Sequence, residues 1–322
     1  MKKTKLVSLK LILASSLLML SGIALAAEFG GKCVNSLAHE FVNQTDCSIK
    51  TDYMGKEYCF GSEDSKAAFI KDPEGTLMKA KAFYDKTAEP MRDKLTQQQA
   101  LDIIKSSSCD LSNKDLGYLE FDKMDLHHCK MVNTSFFGAY LRGANLSGAN
   151  LQRAYLNLAR LEGTNLSGAD LTDAIIFQAI FDKTNFQGAN LTNARVIGTL
   201  GNVNMSGANV KNGRLGLDVG NQPMGQMKFD SVGGKFANTN FEGADLNIAA
   251  FTFADLTGAN LRNTNLYRAD LNKADLTGAD LTGANLQDAD VDGAIFTGVK
   301  GLDTVKGLDS VKGKCVDCKA KS

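Results

Sequence analysis

Residues 143–154 read Gly-Ala-Asn-Leu-Ser-Gly-Ala-Asn-Leu-Gln-Arg-Ala, and residues 274–290 read Ala-Asp-Leu-Thr-Gly-Ala-Asp-Leu-Thr-Gly-Ala-Asn-Leu-Gln-Asp-Ala-Asp. In both stretches a leucine returns at every fifth position, with alanine two residues before it and asparagine or aspartate between them. A period of five fits neither an α-helix, with its period of about 3.6, nor a continuous strand, with its period of about two. The chain therefore contains an internal repeat, which has to be delimited before secondary structure is assigned.

The five-residue repeat extends well beyond these two stretches. Apolar residues recur at this spacing over 111–196 and again over 236–296. At the end of the first run the register shifts by one residue, and the pattern is then lost over 216–235. We predict two repeat stacks, 109–215 and 236–298, with a loop over 216–235 between them. A kink between the two stacks explains the interruption equally well.

Each five-residue unit has the chemistry of a short extended segment followed by a turn. The apolar centre and the residue two before it lie on one side of an extended backbone, so both are expected to face inward. Two residues after the centre, where a turn needs positive φ, glycine is frequent. These glycines are Gly143, Gly148, Gly168, Gly188, Gly243, Gly258, Gly278 and Gly283. Asn or Asp before the centre suits the turn, because short polar side chains bond nearby backbone groups.

The units closely resemble the pentapeptide-repeat family, and the resemblance covers more than half of the chain, from about 109 to 298. It implies a right-handed quadrilateral β-helix with four units in each square coil, a closure that the period alone does not show. Roughly nine coils at about 4.8 Å each would form a column about 40 Å long. We therefore predict a mainly β solenoid with a small α/β head and a cleaved signal peptide.

The N-terminal 26 residues have the organisation of a secretory signal peptide. Four lysines within the first ten residues precede an apolar run over 11–25, and Ala24-Leu25-Ala26 is a small-x-small cleavage pattern. The apolar run is shorter than the roughly 20 residues that a membrane-spanning helix needs. We predict cleavage between Ala26 and Ala27, export to a bacterial periplasm or to the medium, and no membrane span in the mature chain.

The segment 27–84 has no repeat and resembles the YHS domain family. The resemblance rests on residues 58–74, which read Tyr-Cys-Phe-Gly-Ser-Glu-Asp-Ser-Lys-Ala-Ala-Phe-Ile-Lys-Asp-Pro-Glu, and on Gly55-Lys56 before them. It implies a small α/β fold associated with metal binding. Two cysteine positions of the family pattern hold Gly61 and Ser65 instead, and soft metal ions need thiolate ligands. A structural disulfide is therefore the preferred role for the cysteines of this head.

All seven cysteines follow residue 26, and an odd number leaves at least one sulfur unpaired within a monomer. In the head we expect a Cys47–Cys59 or a Cys33–Cys59 disulfide. The tail sequence Cys315-Val316-Asp317-Cys318 is expected to form a disulfide or a crosslink. The alternative is binding of copper or zinc by the head and the tail. Its candidate ligands are Cys33, Cys47, Cys59, Cys315 and Cys318.

Two further cysteines fall inside the repeat. Cys109 and Cys129 both occupy the small inward position and are twenty residues apart, so they should stack on one side of the coil. We favour two buried thiols over a disulfide, because parallel side chains make the disulfide torsion awkward. His127 and His128 follow the centre Leu126 and should point outward. We therefore interpret them as surface histidines that do not converge with Cys129 on one ion.

The segment 85–108 is predicted to link the head to the first stack through a helix over 95–107. Thr96 is a suitable N-cap, and Leu101, Ile103 and Ile104 form an apolar stripe. Because the end of a β-helix exposes unpaired strand edges, we expect this helix to cover the first coil. Residues 299–322 are expected to form a C-terminal tail, in which the six residues 301–306 are nearly repeated at 307–312.

Formal net charge is zero, so no basic excess supports nucleic-acid binding. With only three histidines, none near a suitable nucleophile, no catalytic set can be assembled. We predict a non-catalytic protein without a cofactor, whose rigid solenoid binds another protein or a cell-envelope component, with a rod end as a candidate dimer contact. The loop supplies the candidate partner-binding residues Asn221, Gln222, Pro223, Met224, Met227 and Phe229. A DNA-mimic that binds a topoisomerase, as some family members do, is a further alternative that the signal peptide disfavours.

Overall fold

The computed structural model describes residues 29, 32–39, 45–87, 92–217 and 228–318. The chain divides into two compact units, 1–89 and 90–322. The predicted signal peptide, including Ala26 and Ala27, lies outside the described residues. The first unit extends past the predicted boundary at residue 84, because its last helix continues to Thr87. Within the described part of the chain, none of the helices has the length and apolarity that crossing a bilayer demands.

The first unit combines short helices with a β-hairpin. Its elements are helix α1 (Val34–Ala38), strands β1 (Ile49–Tyr53) and β2 (Lys56–Phe60), and helices α2 (Glu63–Lys71) and α3 (Pro73–Thr87). The two strands pair antiparallel across Met54-Gly55, where both residues have positive φ, as a two-residue hairpin turn of this twist requires. The core consists of Val34, Leu37, Tyr58, Phe60, Phe69 and Ala80.

The starts of helices α2 and α3 follow directly from the sequence. The side chain of Ser62 accepts a hydrogen bond from the Ser65 amide at the start of α2. Asp72 Oδ1 accepts one from the Gly75 amide at 3.0 Å, and Pro73 begins α3 without needing a donor. The Asp-Pro-Glu stretch is therefore a helix-initiating sequence in this chain, because its aspartate caps and its proline presets the backbone.

The second unit opens with a short strand and a helix. Strand β3 (Asp93–Lys94) pairs parallel with β4 (Lys114–Asp115), and helix α4 (Gln97–Lys105) lies between them in sequence. The predicted Thr96 cap is confirmed, and Gln99 completes a capping box. Ala100 and Ile104 of α4 are buried in the solenoid core. The Gln97 side chain also exchanges hydrogen bonds of 2.8 and 2.9 Å with the backbone of Glu120, so α4 covers the first coil as expected.

The rest of the unit is a column of four-sided coils. Bridges between neighbouring coils join residues twenty apart, such as Asn145↔Asn165, so each coil holds four five-residue units. The centres Leu146 and Leu286 are fully buried. We number the sides in chain order by the residue before each centre. In the third coil, side 1 carries Asn150, side 2 Tyr155, side 3 Arg160 and side 4 Asn165.

Turns between sides follow one pattern. At the corner after Leu141, the Ala144 amide donates to the Leu141 carbonyl at 3.0 Å, and Gly143 has φ of 64°. The inward small position most often takes alanine or threonine. The buried Thr164 hydroxyl donates to the Leu141 carbonyl of the preceding coil at 2.7 Å, so no polar atom is left unpaired there.

The register shift is absorbed by three longer strands. Strands β5 (Ile175–Phe177), β6 (Arg195–Thr199) and β7 (Phe229–Asp230) pair parallel in that order. The spacing between bridged residues then rises to 31 at Asn209 and Asn240, which shows an insertion rather than a kink. The chain is back in the coil at Phe229, and its side chain is fully buried. The predicted loop therefore ends earlier than residue 235, and Phe229 belongs to the core.

The C-terminal segment corrects a further expectation. Residues 300–316 form one more coil, joined to the preceding one by bridges such as Asn285↔Lys306 and Ile295↔Val316. Two 3₁₀ helices, Leu302–Thr304 and Leu308–Ser310, accommodate the additional residue of each six-residue side. Gly301 begins the first with φ of 71°, where a Cβ would lie 2.6 Å from the Thr282 Cα. The six-residue repeat over 301–312 thus continues the solenoid and is not part of a free tail.

Candidate interaction surface

The four sides of the solenoid differ in the residue before each centre. Sides 1 and 4 carry ladders of asparagine and aspartate. On side 4, Asn165 Nδ2 donates to Asn145 Oδ1 and Asn185 Nδ2 donates to Asn165 Oδ1, both at 3.2 Å. On side 1, Asn240 and Asn209 are joined in the same way at 2.9 Å. These side chains satisfy one another and leave polar, uniform faces.

Sides 2 and 3 of the first stack carry large aromatic, aliphatic and arginine side chains instead. We call this region the aromatic–arginine surface. It comprises Tyr118, Phe137, Tyr140, Arg142, Tyr155, Leu158, Arg160, Ile180 and Arg195, with the buried Phe177 packed against Arg195. Several members are strongly exposed, with Tyr118 at 67% and Leu158 and Ile180 each at 43%. Exposed apolar groups clustered on one face mark a contact surface more often than scattered ones do.

On side 2 the aromatic rings form a continuous row. The Tyr118 and Phe137 rings meet edge to face with centroids 5.5 Å apart, and the Phe137 and Tyr155 rings stack at 6.1 Å. The guanidinium of Arg195 lies 5.4 Å from the centroid of the Phe177 ring. These contacts fix ring orientations before any partner arrives, which lowers the conformational entropy that binding would cost.

On side 3 a tyrosine lies between two arginines. The guanidinium carbons of Arg142 and Arg160 are 5.4 and 5.5 Å from the centroid of the Tyr140 ring. Arg142 also holds Asp122 by a charged contact of 2.6 Å and by its backbone amide at 2.8 Å. Burial disfavours the ionised Asp122 carboxylate, but the hydrogen bonds from Arg142 outweigh that effect and lower its pKa.

Two arginines and an aspartate follow one another on side 2 at the register shift: Arg195, Arg214 and Asp245. Arg195 and Arg214 are bridged neighbours on adjacent coils. Burial, followed by repulsion from Arg214, lowers the pKa of Arg195. Beside them, a shallow groove of about 580 Å³ is lined by Ile180, Gly198 and Lys228, among others. Asp182 and Asp230 also line the groove, so this part of the solenoid combines apolar groups and a depression with charges of both signs.

Of the sequence-predicted partner residues, the structure describes Phe229 alone. Asn221, Gln222, Pro223, Met224 and Met227 lie outside the described residues, and Phe229 is buried rather than offered to a partner. Sequence reasoning missed the aromatic–arginine surface. The signal was available, because bulky residues replace Asn or Asp before the centre at Tyr140, Tyr155, Arg160, Ile175, Ile180 and Arg195.

The candidate metal-ligating cysteines are mostly in disulfides. Cys47 is bonded to Cys59, the first of the two expected pairings, and Cys315 is bonded to Cys318. Cys33 is a buried free thiol. Burial would raise the pKa of Cys33, but hydrogen bonds with Ser36 and backbone groups outweigh that effect and lower it. In this oxidised form the five sulfurs offer one thiol and no pair of thiolates.

The cysteines of the first two coils depart from expectation. Cys109 and Cys129 are buried and stacked one coil apart as predicted, but they form a disulfide, with Cα atoms 4.7 Å apart. The backbone of His128 points outward as expected, yet its ring folds back to place Nε2 3.9 Å from Cys129 Sγ. Ligand atoms of Cys109, His128 and Cys129 lie within 4.8 Å of one another, and His127 is not among them. The set of His127, His128 and Cys129 considered from the sequence is thus not brought together, but His128 lies beside the cysteine pair. The His128 side chain is long enough for its ring to reach the Cys129 sulfur on the same coil.

Stacked four-sided coils whose described centres face inward define a β-helical solenoid. The Pentapeptide repeats family model matches eight copies, over residues 134–173, 177–212, 233–263 and 259–298. The matched residues of this chain are pentapeptide repeats.

Solved structures of pentapeptide-repeat proteins are similar to this chain. HetL of the cyanobacterium Nostoc sp. strain PCC 7120, described as involved in regulating heterocyst differentiation, is 26% identical over 70% of this chain and 98% of its own, with a TM-score of 0.36. A protein of the Arabidopsis thaliana thylakoid lumen is 30% identical over 33% of this chain and 65% of its own (TM-score 0.20). Full-length QnrB1, a plasmid-mediated fluoroquinolone resistance protein, is 18% identical over 61% of this chain and 95% of its own (TM-score 0.24). No curated protein sequence matches the chain.

Proposed function

We propose that this chain is an exported, non-catalytic protein that binds a protein partner through the aromatic–arginine surface. The observation that carries the proposal is the contrast between the sides of the first stack: sides 1 and 4 are satisfied polar ladders, whereas sides 2 and 3 present preorganised tyrosines and arginines. Tyrosine and arginine are enriched among the residues that dominate protein–protein binding energy. The solenoid needs no cofactor for this role.

The charges indicate what kind of partner fits. On side 3, Arg142 is paired with Asp122 and Arg160 lies 4.0 Å from Glu162, so this face is not broadly basic. Binding to a nucleic acid would need many uncompensated cations along a track. Near Arg195 and Arg214 the surface also carries Asp245. Asp182 and Asp230 line the adjoining groove, so charges of both signs are present there. The expected partner is therefore a polypeptide with apolar side chains and charged side chains of both signs.

The experiment is chemical crosslinking in cells with paired variants. We expect the double variant Tyr140→Ala with Tyr155→Ala to lose the crosslinked species, because two preorganised anchors are removed. The matched control, Ser147→Ala with Ser167→Ala on side 4, should retain it at the wild-type level. Equal yields from the two double variants would refute docking on this surface.

The loop remains a second contact proposal, for Asn221, Gln222, Pro223, Met224 and Met227. An insertion into a solenoid is a common place for partner contacts because it does not have to fit the coil. Replacing 218–227 by a Gly-Ser segment of equal length, with the buried Phe229 left in place, tests it. Loss of the crosslinked species would support a contribution of the loop, and an unchanged yield would remove it.

Export is supported by the cysteine chemistry as well as by the N-terminal sequence. Three intramolecular disulfides are typical of proteins in oxidising compartments. We expect mass spectrometry of the protein from fractionated cells to find Ala27 as the first residue, outside the cytoplasm. A cytoplasmic protein that still carries residues 1–26 would contradict this part of the proposal.

A further inference from the structure

The cluster at the beginning of the solenoid has the chemistry of a metal site as well as of a disulfide. Cys109 and Cys129 occupy equivalent positions on adjacent coils, and the Lys130 amide donates to the Cys109 carbonyl at 2.9 Å, which fixes their spacing. His128 brings an imidazole nitrogen to 3.9 Å from Cys129 Sγ. Among the described residues, these three form the single group of His, Cys, Asp or Glu ligands close enough to share an ion.

We propose that reduction of the Cys109–Cys129 disulfide opens a site for a thiophilic metal ion such as Zn²⁺, bound by the two sulfurs and by His128. Thiolate and imidazole are the ligands that zinc prefers in proteins, and thiolates also select it against the hard cations. The site is distinct from the head and tail cysteines considered from the sequence.

The backbone spacing suits this ligand set. With bonds of about 2.3 Å to sulfur and about 2.0 Å to nitrogen, tetrahedral zinc holds its sulfurs about 3.8 Å apart and a sulfur and a nitrogen about 3.5 Å apart. The nitrogen of His128 is already 3.9 Å from Cys129 Sγ. Parallel cysteine side chains would stand about as far apart as their Cα atoms, which are 4.7 Å apart. Zinc needs its two sulfurs farther apart than they are in a disulfide and closer together than they are in two parallel cysteine side chains. Rotation of the cysteine side chains therefore reaches this separation without moving the coils.

Burial defines how the ion would enter. Cys109 and Cys129 are 0% and 2% exposed, whereas His128 is exposed. Entry is therefore from the side of the imidazole, which can swing out and return. Three protein ligands leave the fourth position of a tetrahedral ion for water.

The oxidation state gates the site. A dithiol reductant transfers two electrons and two protons to the bridge, so the S–S bond breaks, two thiols form, and the reductant leaves as its own disulfide. Zinc then binds the two thiolates, and two protons are released to solvent. Reoxidation by a disulfide reverses both steps and expels the ion.

The test compares zinc binding by the mature protein before and after reduction. Protein reduced with a dithiol, freed of reductant without oxygen and shown by circular dichroism to be folded, is titrated with Zn²⁺ against a chromophoric chelator. Because reduction also frees the cysteines of the head and of the C-terminal segment, we expect one more bound Zn²⁺ per chain than in the equally reduced variant Cys109→Ala with Cys129→Ala. Replacement by Co²⁺ should give a sulfur-to-metal charge-transfer band.

Two variants assign that ion to this site. Removing a residue that only hydrogen-bonds to a metal ligand lowers metal affinity by about 10–100-fold. His128 is itself a proposed ligand, so His128→Ala should weaken zinc binding at least about tenfold. The neighbouring His127→Ala, which removes an exposed ring bonded to Asp125, is the matched control and should have no effect. Cys109→Ala with Cys129→Ala, which places alanine where most units have it, should abolish the additional ion. Equal affinities of His127→Ala and His128→Ala, retention of the ion by the double cysteine variant, or unfolding on reduction would each overturn the proposal.

Discussion

At Leu146 the link between sequence and fold can be followed through single contacts. The side chain is fully buried, and its amide donates to the Asn165 carbonyl of the next coil at 2.7 Å. Asn145, one residue earlier, accepts from the Ser147 amide at 3.3 Å and stabilises the turn. Leu146 therefore packs in the core, and Asn145 stabilises the turn that follows. Each five-residue unit thus contains the residues that form one side of a coil.

Truncation of this centre should be costly. Leu146→Ala removes a buried side chain between coils that cannot collapse into the space, so the free energy of unfolding should fall by about 2–5 kcal/mol. Urea unfolding followed by circular dichroism measures it. Ser147→Ala on the outer face should stay within about 0.5 kcal/mol of wild type. A loss of similar size from both variants would contradict the inward assignment of Leu146.

Asp122 should make stability depend on pH in a defined direction. Its pKa in the folded protein is lowered, chiefly because hydrogen bonds from Arg142 overcome the effect of burial. A lowered folded pKa contributes stability that is complete above the unfolded value of about 3.9 and is lost as pH falls through the folded value. In thermal melts the difference between wild type and Asp122→Asn should be largest near neutral pH and vanish in acid. Arg142→Gln should show the same trend, and a difference independent of pH would refute the pairing.

At the scale of elements, helix α4 and the first coil depend on each other. The capping box fixes where the helix starts, and its buried residues Ala100 and Ile104 cover the first coil. The outermost strand edge of a solenoid is a template for another chain unless it is covered. The helix therefore acts as a lid on the column rather than as a linker.

Loss of this cover should cause association. Ile104→Asp places a charge against the core, so α4 should detach and expose the first coil. Size-exclusion chromatography with light scattering should then show dimers or larger species at concentrations where Asp102→Ala, on the exposed face of α4, matches the wild type. A variant as monodisperse as Asp102→Ala would mean that α4 does not protect the edge.

The sequence predicts much of this level and misses particular parts for physical reasons. The period of five determines which side chains face inward, and Thr96 followed by Gln99 marks the start of α4. The period cannot show where an insertion rejoins the coil, so Phe229 was assigned to a loop. The period also indicates which way each side chain leaves the backbone, but not where the end of a long side chain lies. It therefore does not show that the His128 ring lies beside Cys129.

At the scale of the second unit, the four sides of the solenoid have separate roles. Sides 1 and 4 are satisfied ladders that stabilise the stack, and sides 2 and 3 carry the aromatic–arginine surface. Sequence alone shows every substitution that builds this surface, but only the fourfold closure places Tyr140, Tyr155 and Arg160 side by side. The proposed binding function of the solenoid therefore depends on which side a partner contacts.

A photocrosslinking scan around one coil tests that claim most directly. A photoreactive amino acid is placed in turn at Gln152, Leu158, Glu162 and Ser167, one position for each of sides 1, 2, 3 and 4, and cells are irradiated. We predict that one and the same partner is captured from Leu158 and Glu162 and is absent from Gln152 and Ser167. Capture from Gln152 or Ser167 alone, or equally from all four positions, would contradict the account.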